Sequence, residues 1–224
     1  MEITAGVHQI PNVQGNSYLL VDPDGLTLID TGMPGNDKKI IAYLAGLGRS
    51  AGDLKRILIT HSDIDHIGSL AALKAATGAR ICASAIEAKA IAAAHPSREI
   101  KPENPLFRLV FGLMSRMVRV APAQVDDLLT DGQVLPVLGG LQVHETFGHT
   151  PGHISLFLPS AGVLFSGDSI LSEQDRLLGP RPALASDLQQ ARQSVQKQAA
   201  LGARIVCTGH GPVVHDAAGK FPAV

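Results

Sequence analysis

The chain has 224 residues, of which 45% are hydrophobic and 17% are charged. This composition is typical of a globular protein with one substantial core, and it excludes a disordered chain. The 19 Lys and Arg residues nearly balance the 20 Asp and Glu residues, for a formal net charge of -1. The sequence therefore indicates no basic surface for nucleic acid and gives no reason to expect a polyanionic substrate.

The first half of the chain alternates strands with helices. Residues 16–21 and 26–30 predict two strands, because the turn Asp22-Pro23-Asp24-Gly25 between them is a strong hairpin signal. A helix is predicted to begin at Asp37, as its cap, and to end at Gly48. A strand at 57–60, a helix at 70–77, a strand at 80–83 and a helix at 86–94 follow. This rhythm is typical of helices packed on a sheet.

The second half repeats the order of strands followed by helices. Strands are predicted near 133–138, 141–146, 154–158 and 162–166, then a helix from 187 to 201 and a strand at 205–208. We expect an α/β fold in a single domain covering 1–224, in which two mixed β-sheets lie face to face between helices. This is an αββα four-layer sandwich, and we expect the functional site along one edge of its sheets.

The segment 95–125 departs from this rhythm. Pro96, Pro102 and Pro105 interrupt its first part, and residues 106–119 are helical in pattern and apolar almost all round. Three interpretations stay open: a helix packed in the core, an inserted cap over the active site, or a face for a dimer or a membrane surface.

Four potential metal ligands follow the predicted strand at 57–60. They are His61, Asp63, Asp65 and His66, and we expect them on the loop that leaves the strand. Imidazole and carboxylate groups packed this densely cost desolvation free energy unless a cation organises them. The pattern therefore predicts a metal site.

Three further residues of ligand type lie beside glycines at the ends of predicted strands. They are His149, Asp168 and His210. Glycine permits tight loops that bring ligands distant in sequence together. Seven ligand-type residues predict a site for two metal ions, and therefore hydrolysis.

The chain resembles the metallo-β-lactamase-fold superfamily in five motifs that occur in the order the family has them. The motifs are Ile29-Asp30-Thr31-Gly32, Thr60-His61-Ser62-Asp63-Ile64-Asp65-His66-Ile67-Gly68, His149-Thr150-Pro151-Gly152-His153, Phe165-Ser166-Gly167-Asp168 and Gly209-His210-Gly211-Pro212. The resemblance implies that His61, Asp63 and His149 hold one metal ion. It also implies that Asp65, His66 and His210 hold a second ion and that Asp168 bridges the two.

Asp63 departs from the family pattern, which usually has a second histidine there, so the chain resembles a subgroup with HxDxDH in place of HxHxDH. An added carboxylate is expected to lower the net charge of the site. It moves the preference towards manganese or iron, although zinc remains the leading choice for both ions. Asp63 is expected to bind the metal directly, with contact through water as the alternative.

The resemblance implies a dinuclear-metal-dependent hydrolase in which a bridging water, acidified by the two ions, attacks a carbonyl or phosphoryl centre. Asp65 is the candidate catalytic residue, as a proton acceptor when the intermediate collapses. Ester, thioester or lactone substrates are favoured, and the small-molecule substrate is expected to be uncharged or hydrophobic. Glyoxalase II-like activity is disfavoured, because only residues 211–224 follow the last ligand.

Other functions remain as alternatives. A phosphodiesterase or a promiscuous β-lactamase would use the same site, whereas a di-iron redox protein or a non-catalytic metal-binding relative would use the fold differently. Asp30 is expected to orient the ligand loop, and His153 to support the loop of His149. Arg176 and Arg181 are expected to be solvated, with binding of an anionic substrate group as the alternative.

The remaining expectations concern the surroundings of the protein. The N-terminus lacks a signal peptide, and no apolar stretch approaches the ~20 residues of a membrane span. We therefore expect a cytoplasmic protein, and a homodimer stays open as its assembly. Cys82 and Cys207 lie in predicted strands and are expected to be buried, without a disulfide framework.

Overall fold

The structure, a computed structural model, describes residues 1–98 and 120–223. Within them, five α-helices are present: α1 (Asp37–Gly46), α2 (Ile64–Ile67), α3 (Leu70–Thr77), α4 (Ala85–Ala93) and α5 (Leu188–Ala199). The helix predicted at 106–119, and with it the possible cap, lies outside the described residues and stays a prediction.

The strands form two large sheets and one hairpin. The first sheet contains, in spatial order, β1 (Glu2–Thr4), β2 (Val7–Gln9), β3 (Tyr18–Asp22), β4 (Gly25–Ile29), β5 (Leu54–Leu58), β6 (Arg80–Ser84) and β7 (Asp127–Leu129). Chain order and spatial order coincide. Neighbours from β1 to β4 are antiparallel, and those from β4 to β7 are parallel.

The second sheet is built from the later strands, which are β8 (Val134–Leu135), β9 (Leu141–Glu145), β10 (Ile154–Leu158), β11 (Val163–Gly167), β14 (Ile205–Thr208) and β15 (Val214–His215). Its spatial order is β15-β14-β11-β10-β9-β8, with β11 and β14 parallel and the other neighbours antiparallel. A separate hairpin, β12 (Leu171–Glu173) and β13 (Arg176–Leu178), follows Asp168.

Alternation of side chains along the strands produces the layers. In β11, Val163 and Phe165 join a core shared with Tyr18 and Leu20 of the first sheet, whereas Leu164 between them packs on the α5 side with Val195. Because successive strand residues point to opposite faces, each sheet buries one face against the other sheet and one against helices.

A separate cluster packs α1, α3 and α4 on the outer face of the first sheet, through residues such as Ile40, Leu73 and Ile91. The predicted αββα sandwich of two mixed sheets flanked by helices is therefore confirmed.

Several element boundaries differ from the predicted ones. The strand predicted at 57–60 ends at Leu58, and the cap of α1 is Asn36. Asp37 is instead the first residue of α1, where a carboxylate interacts favourably with the helix dipole. The helix α3 ends at Thr77, as predicted, and Gly78 after it has a φ of 71°, a left-handed conformation that glycine adopts readily. Both cysteines are buried and free, as expected.

Candidate metal centre

The loops at one edge of the two sheets bring the seven predicted ligand residues together. His61 and Asp63 follow β5 on a loop, but Asp65 and His66 lie in the single-turn helix α2 rather than on the predicted loop. Asp63, in an extended conformation, is the N-cap residue that immediately precedes α2. Because α2 turns the chain immediately after Asp63, adjacent ligand residues face different parts of the site.

The second half contributes one residue from each of three loops. His149 lies between β9 and β10, Asp168 directly after β11, and His210 after β14. Position 209 requires glycine for a steric reason, since a Cβ atom there would clash with Oδ1 of Asp168. Glycine therefore allows the His210 loop to approach the carboxylate.

His61, Asp63 and His149 form the inner group, in which one ligand atom of each residue lies within 4.8 Å of the others. Oδ2 of Asp63 is 3.3 Å from Nε2 of His149 and 3.6 Å from Nε2 of His61. All three residues are buried. Such a spacing suits three ligands around one cation.

Asp65, His66 and His210 form the outer group, which meets the same distance limit of 4.8 Å. Nε2 of His210 is 3.1 Å from Oδ2 of Asp65. His66 is fully buried, but the side chains of His210 and Asp65 are 43% and 28% exposed. The outer group is therefore the side of the site that meets solvent.

Asp168 lies between the two groups. Its Oδ2 is 3.3 Å from Nε2 of His210, 3.6 Å from Nε2 of His149 and 4.0 Å from Nε2 of His61. Its Oδ1 is 3.4 Å from Nε2 of His66. One carboxylate thus reaches histidines of both groups, and its role as a bridge between two ions stays a prediction.

Hydrogen bonds on the far side of two histidines fix which ring nitrogen faces the site. Nδ1 of His66 is 2.9 Å from Oδ2 of Asp30, and a carboxylate can only accept, so Nδ1 donates. The hydroxyl of Thr60 donates its one proton to the same carboxylate, at 2.7 Å. Thr60 must therefore accept from Nδ1 of His61, which is 2.9 Å away. With Nδ1 carrying the proton in each ring, Nε2 is the nitrogen that faces the site and can bind a cation there.

Asp30 also accepts a hydrogen bond from the backbone N–H of Thr60, at 2.9 Å. It therefore ties the strand end before His61 to the ring of His66, and the expectation that Asp30 orients the ligand loop is confirmed.

Buried acceptor atoms converge without protein partners. Within the described residues, Nε2 of His61, His66 and His149 and Oδ1 of Asp168 have no hydrogen-bond partner. Buried polar atoms without partners cost free energy, and imidazole nitrogens with carboxylate oxygens are the usual donors to zinc. The residues present therefore fit the divalent ions that the sequence implies.

The electrostatics of the site also favour cations. Burial alone would raise the pKa of Asp168, but neighbouring His66 and His210 lower it well below its usual value. Hydrogen bonding to Asp168 and Asp65 raises the pKa of His210 to about 9. The carboxylates thus stay ionised and attract positive charge to the site.

His153 supports the site without joining either group. Its Nε2 accepts from the backbone N–H of Asp168 at 3.1 Å, and its Nδ1 is 2.8 Å from the hydroxyl of Thr146. His153 thus links Thr146, at the start of the His149 loop, to the Asp168 loop. The sequence predicted the contact with the His149 loop but not the one with Asp168.

Glu87 is a buried carboxylate that the sequence analysis missed. Its Oε2 accepts from the backbone N–H of Ser62, between His61 and Asp63, at 2.9 Å. Its Oε1 accepts from the Thr150 hydroxyl at 2.6 Å, from the Gly152 N–H at 3.1 Å and from the Ser97 hydroxyl at 2.8 Å. Glu87 thus joins the two loops that carry the inner group.

A sequence signal for Glu87 exists in the pattern Ser84-x-x-Glu87, which is typical of a helix capping box. Ser84 does accept from the backbone N–H of Glu87. The Glu87 side chain, however, contacts the ligand loops. The sequence pattern alone therefore favours a capping role for Glu87 within its own helix, not a contact with distant loops.

Arg98 is the second missed residue. Its guanidinium lies against the Asp63 carboxylate, with Nε 3.1 Å from Oδ2 and a further contact from Nη2. Asp63 therefore has a cationic partner. The positive charge of Arg98 offsets the negative charge that Asp63 adds to the site. Arg176 and Arg181 are both exposed, as expected, although Arg176 lies in β13 rather than on a loop.

Comparison with known proteins shows the family of the chain. The sequence model of the metallo-beta-lactamase superfamily matches residues 10–210. The chain is 27% identical to "Probable metallo-hydrolase YflN" of Bacillus subtilis over 230 residues, covering 94% of this chain and 85% of the relative. It is 34% identical over 160 residues to "Hydroxyacylglutathione hydrolase" of Rhodobacter capsulatus, covering 70% of this chain and 48% of that enzyme.

A solved structure shows the same fold. The "metallo-beta-lactamase family protein TTHA1429" of Thermus thermophilus superposes with a TM-score of 0.76 at 27% identity, covering 98% of this chain and 78% of that chain.

The chain belongs to the metallo-beta-lactamase superfamily. Its metallo-hydrolase relatives identify it as a hydrolase. Among the described residues, no helix is long and apolar enough to cross a membrane.

Proposed function

We propose that this protein is a dinuclear-metal-dependent hydrolase of ester, thioester or lactone carbonyls. The observation that carries the proposal is the pair of three-residue groups on either side of Asp168, each within 4.8 Å. His61, Asp63 and His149 would hold one cation, Asp65, His66 and His210 the other, and Asp168 would bridge them. We propose zinc for both positions, since these donors suit it.

Two divalent cations bound there would lower the pKa of a water molecule towards neutrality and polarise the carbonyl oxygen of the substrate. The protein's own residues prepare the site for this chemistry. Asp30 and Thr60 keep the Nε2 lone pairs of His61 and His66 directed at the site. Asp168 and Asp63 stay ionised, because their neighbours lower the pKa of both carboxyls well below the usual value despite burial.

Asp65 is the proposed proton acceptor. Its side chain is 28% exposed, whereas those of Asp63 and Asp168 are 11% and 9% exposed. It is therefore the carboxylate of the site that substrate reaches most readily. Its Oδ2 contacts His210 at 3.1 Å, which orients the carboxylate at the solvent-facing side.

Two properties support a carbonyl substrate. The relatives include hydroxyacylglutathione hydrolases at 30–34% identity, whose name denotes a thioesterase reaction. The formal net charge of -1 offers no excess of cations to bind a polyanion. We accordingly propose a small, uncharged or hydrophobic substrate. A cytoplasmic location and a homodimer stay predictions from the sequence.

The test is metal analysis of protein purified without added metal, followed by a substrate panel with the zinc-loaded enzyme. The panel contains lactones, thioesters, aryl esters, phosphodiesters and β-lactams. We expect about two cations per chain and turnover of a carbonyl substrate. Turnover confined to phosphodiesters would overturn the carbonyl assignment. Two irons with oxygen consumption would indicate a redox protein, and an absence of bound metal would indicate a non-catalytic relative.

Variants of Asp65 test the role of that residue within the same panel. Asp65→Ala is expected to lower kcat by about 100-fold or more, within the usual range for general acid–base groups. Asp131→Asn, at an exposed carboxylate paired with Lys197, is the matched control and should keep full activity. An Asp65→Ala enzyme with both cations and undiminished turnover would refute the assignment.

A further inference from the structure

Asp63 is held by a buried cation from outside the predicted ligand set. Arg98 donates to Asp63 through Nε, at 3.1 Å from Oδ2 and 3.3 Å from Oδ1, and through Nη2. The side chains of Arg98 and Asp63 are only 6% and 11% exposed. Such a forked contact fixes the plane of a carboxylate as well as its charge.

The segment that carries Arg98 is itself attached to the ligand loop. The backbone N–H of Ser97 donates to the hydroxyl of Ser62 at 2.9 Å, and the Ser97 hydroxyl donates to Glu87. On its other side, Arg98 donates through Nη1 to the backbone carbonyl of Leu184. Arg98 is therefore anchored at both ends, as a positioning residue requires.

The contact uses the same oxygen that faces the histidines. Oδ2 of Asp63 is 3.3 Å from Nε2 of His149 and 3.6 Å from Nε2 of His61, and Arg98 donates to that oxygen. The inner group therefore has one carboxylate, two imidazoles and one guanidinium. With the histidines neutral, the charges of Asp63 and Arg98 cancel, so the group has the charge of three neutral ligands.

We propose that Asp63 and Arg98 act as one unit, in which Arg98 positions Asp63 and cancels its charge. The unit thus offers the inner cation an oxygen ligand while its own net charge is zero. Arg98 is a positioning residue in this assignment, because it acts through Asp63. The inference rests on the metal sites proposed above and assigns a determinant of affinity within one of them.

A double-mutant cycle in the full-length protein tests this coupling. The four proteins are the wild type, Asp63→His, Arg98→Met and the double variant, and the readout is zinc affinity measured by competition with a chromophoric chelator. Asp63→His alone leaves a buried guanidinium beside three imidazoles, which repels a cation. We therefore compare the change in zinc affinity caused by Arg98→Met in the two backgrounds. This change should be more favourable in the Asp63→His protein than in the wild type by a factor of at least about ten, the lower end for close charge pairs.

Equal effects of Arg98→Met in the two backgrounds would overturn the proposal. Wild-type protein that binds no zinc would instead be a failure of the proposed metal sites, so the two outcomes are distinguishable. Circular dichroism checks folding. If Asp63→His does not fold, the same cycle with Asp63→Asn applies the same criterion, since asparagine keeps the shape of the side chain.

A second readout separates positioning from a merely structural contact. With cobalt in place of zinc, the visible absorption bands report the ligand field of the inner cation. Arg98→Met should shift these bands, and Arg98→Lys should restore them in part, because lysine keeps the charge but lacks the fork. Unchanged bands in Arg98→Met, with only a lower Tm, would show a structural role and overturn the assignment.

Discussion

The inner and outer groups use the same ligand chemistry in different surroundings. The inner group is buried and its loops are held by the charged side chains of Glu87 and Arg98. The outer group has two partly exposed members, and its His210 loop is held by the side chains of Asn16 and Tyr18. Under the proposed function, this difference predicts tighter binding of the inner cation and easier substrate access to the outer one, since a catalytic metal keeps an open position.

The largest expected loss of activity comes from substitution of Asp168, which lies beside histidines of both groups. Asp168→Asn keeps the shape of the side chain but removes the charge that reaches histidines of both groups. We expect cation content to fall in both groups and kcat/KM to fall by more than about 100-fold, the upper range for loss of an outer partner of a metal ligand. Elemental analysis measures the cation content and steady-state kinetics measure kcat/KM, with Asp131→Asn as the control.

Loss of one cation with the other fully retained would contradict a shared carboxylate. It would show that Asp168 serves a single group, and the comparison would then be between two independent sites.

The sequence identified the candidate ligand residues that the fold brings together, because their signal is local. Each lies in a short motif at a strand end, and hydrophobic runs such as those at 154–158 and 162–166 indicate where the strands are. The layers follow from the same runs, since alternation along β11 decides which side chains face the other sheet.

Glu87 and Arg98 were not predictable in the same way. Glu87 is 25 residues from Ser62 and 65 from Gly152, and Arg98 is 35 residues from Asp63. Their roles depend on tertiary proximity, which no spacing in one sequence encodes. Six short strands were also missed, because two or three residues are too few to show a period: β1, β2, β7, β12, β13 and β15.

Glu87→Gln tests whether a carboxylate is what holds the inner group. One oxygen of Glu87 accepts from Ser62 and the other accepts from three donors, so an amide NH₂ at either position faces a donor. We expect a loss of about 2–3 kcal/mol in the free energy of unfolding, or about 4–12 °C in Tm. Zinc affinity of the inner group should fall about 10–100-fold, with the outer group little changed.

The matched control is Glu173→Gln, at an exposed residue of β12, which should leave both Tm and zinc affinity unchanged. Equal weakening of both groups by Glu87→Gln would show that Glu87 supports the fold in general and not the inner group in particular.

Asn16→Ala gives the smallest expected effect and addresses the outer group. The Asn16 amide donates to the backbone carbonyls of Thr208 and Gly211, both at 2.8 Å, on either side of His210. Loss of these neutral hydrogen bonds should cost about 1–2 kcal/mol of stability. Because the hydroxyl of Tyr18 still donates to Thr208, the loop should loosen without unfolding. The outer cation should exchange faster, with inner-group affinity retained, whereas Gln189→Ala, at an exposed residue of α5, should change neither. Weaker binding confined to the inner group would contradict the assignment, because the Asn16 amide donates its hydrogen bonds to the loop of His210.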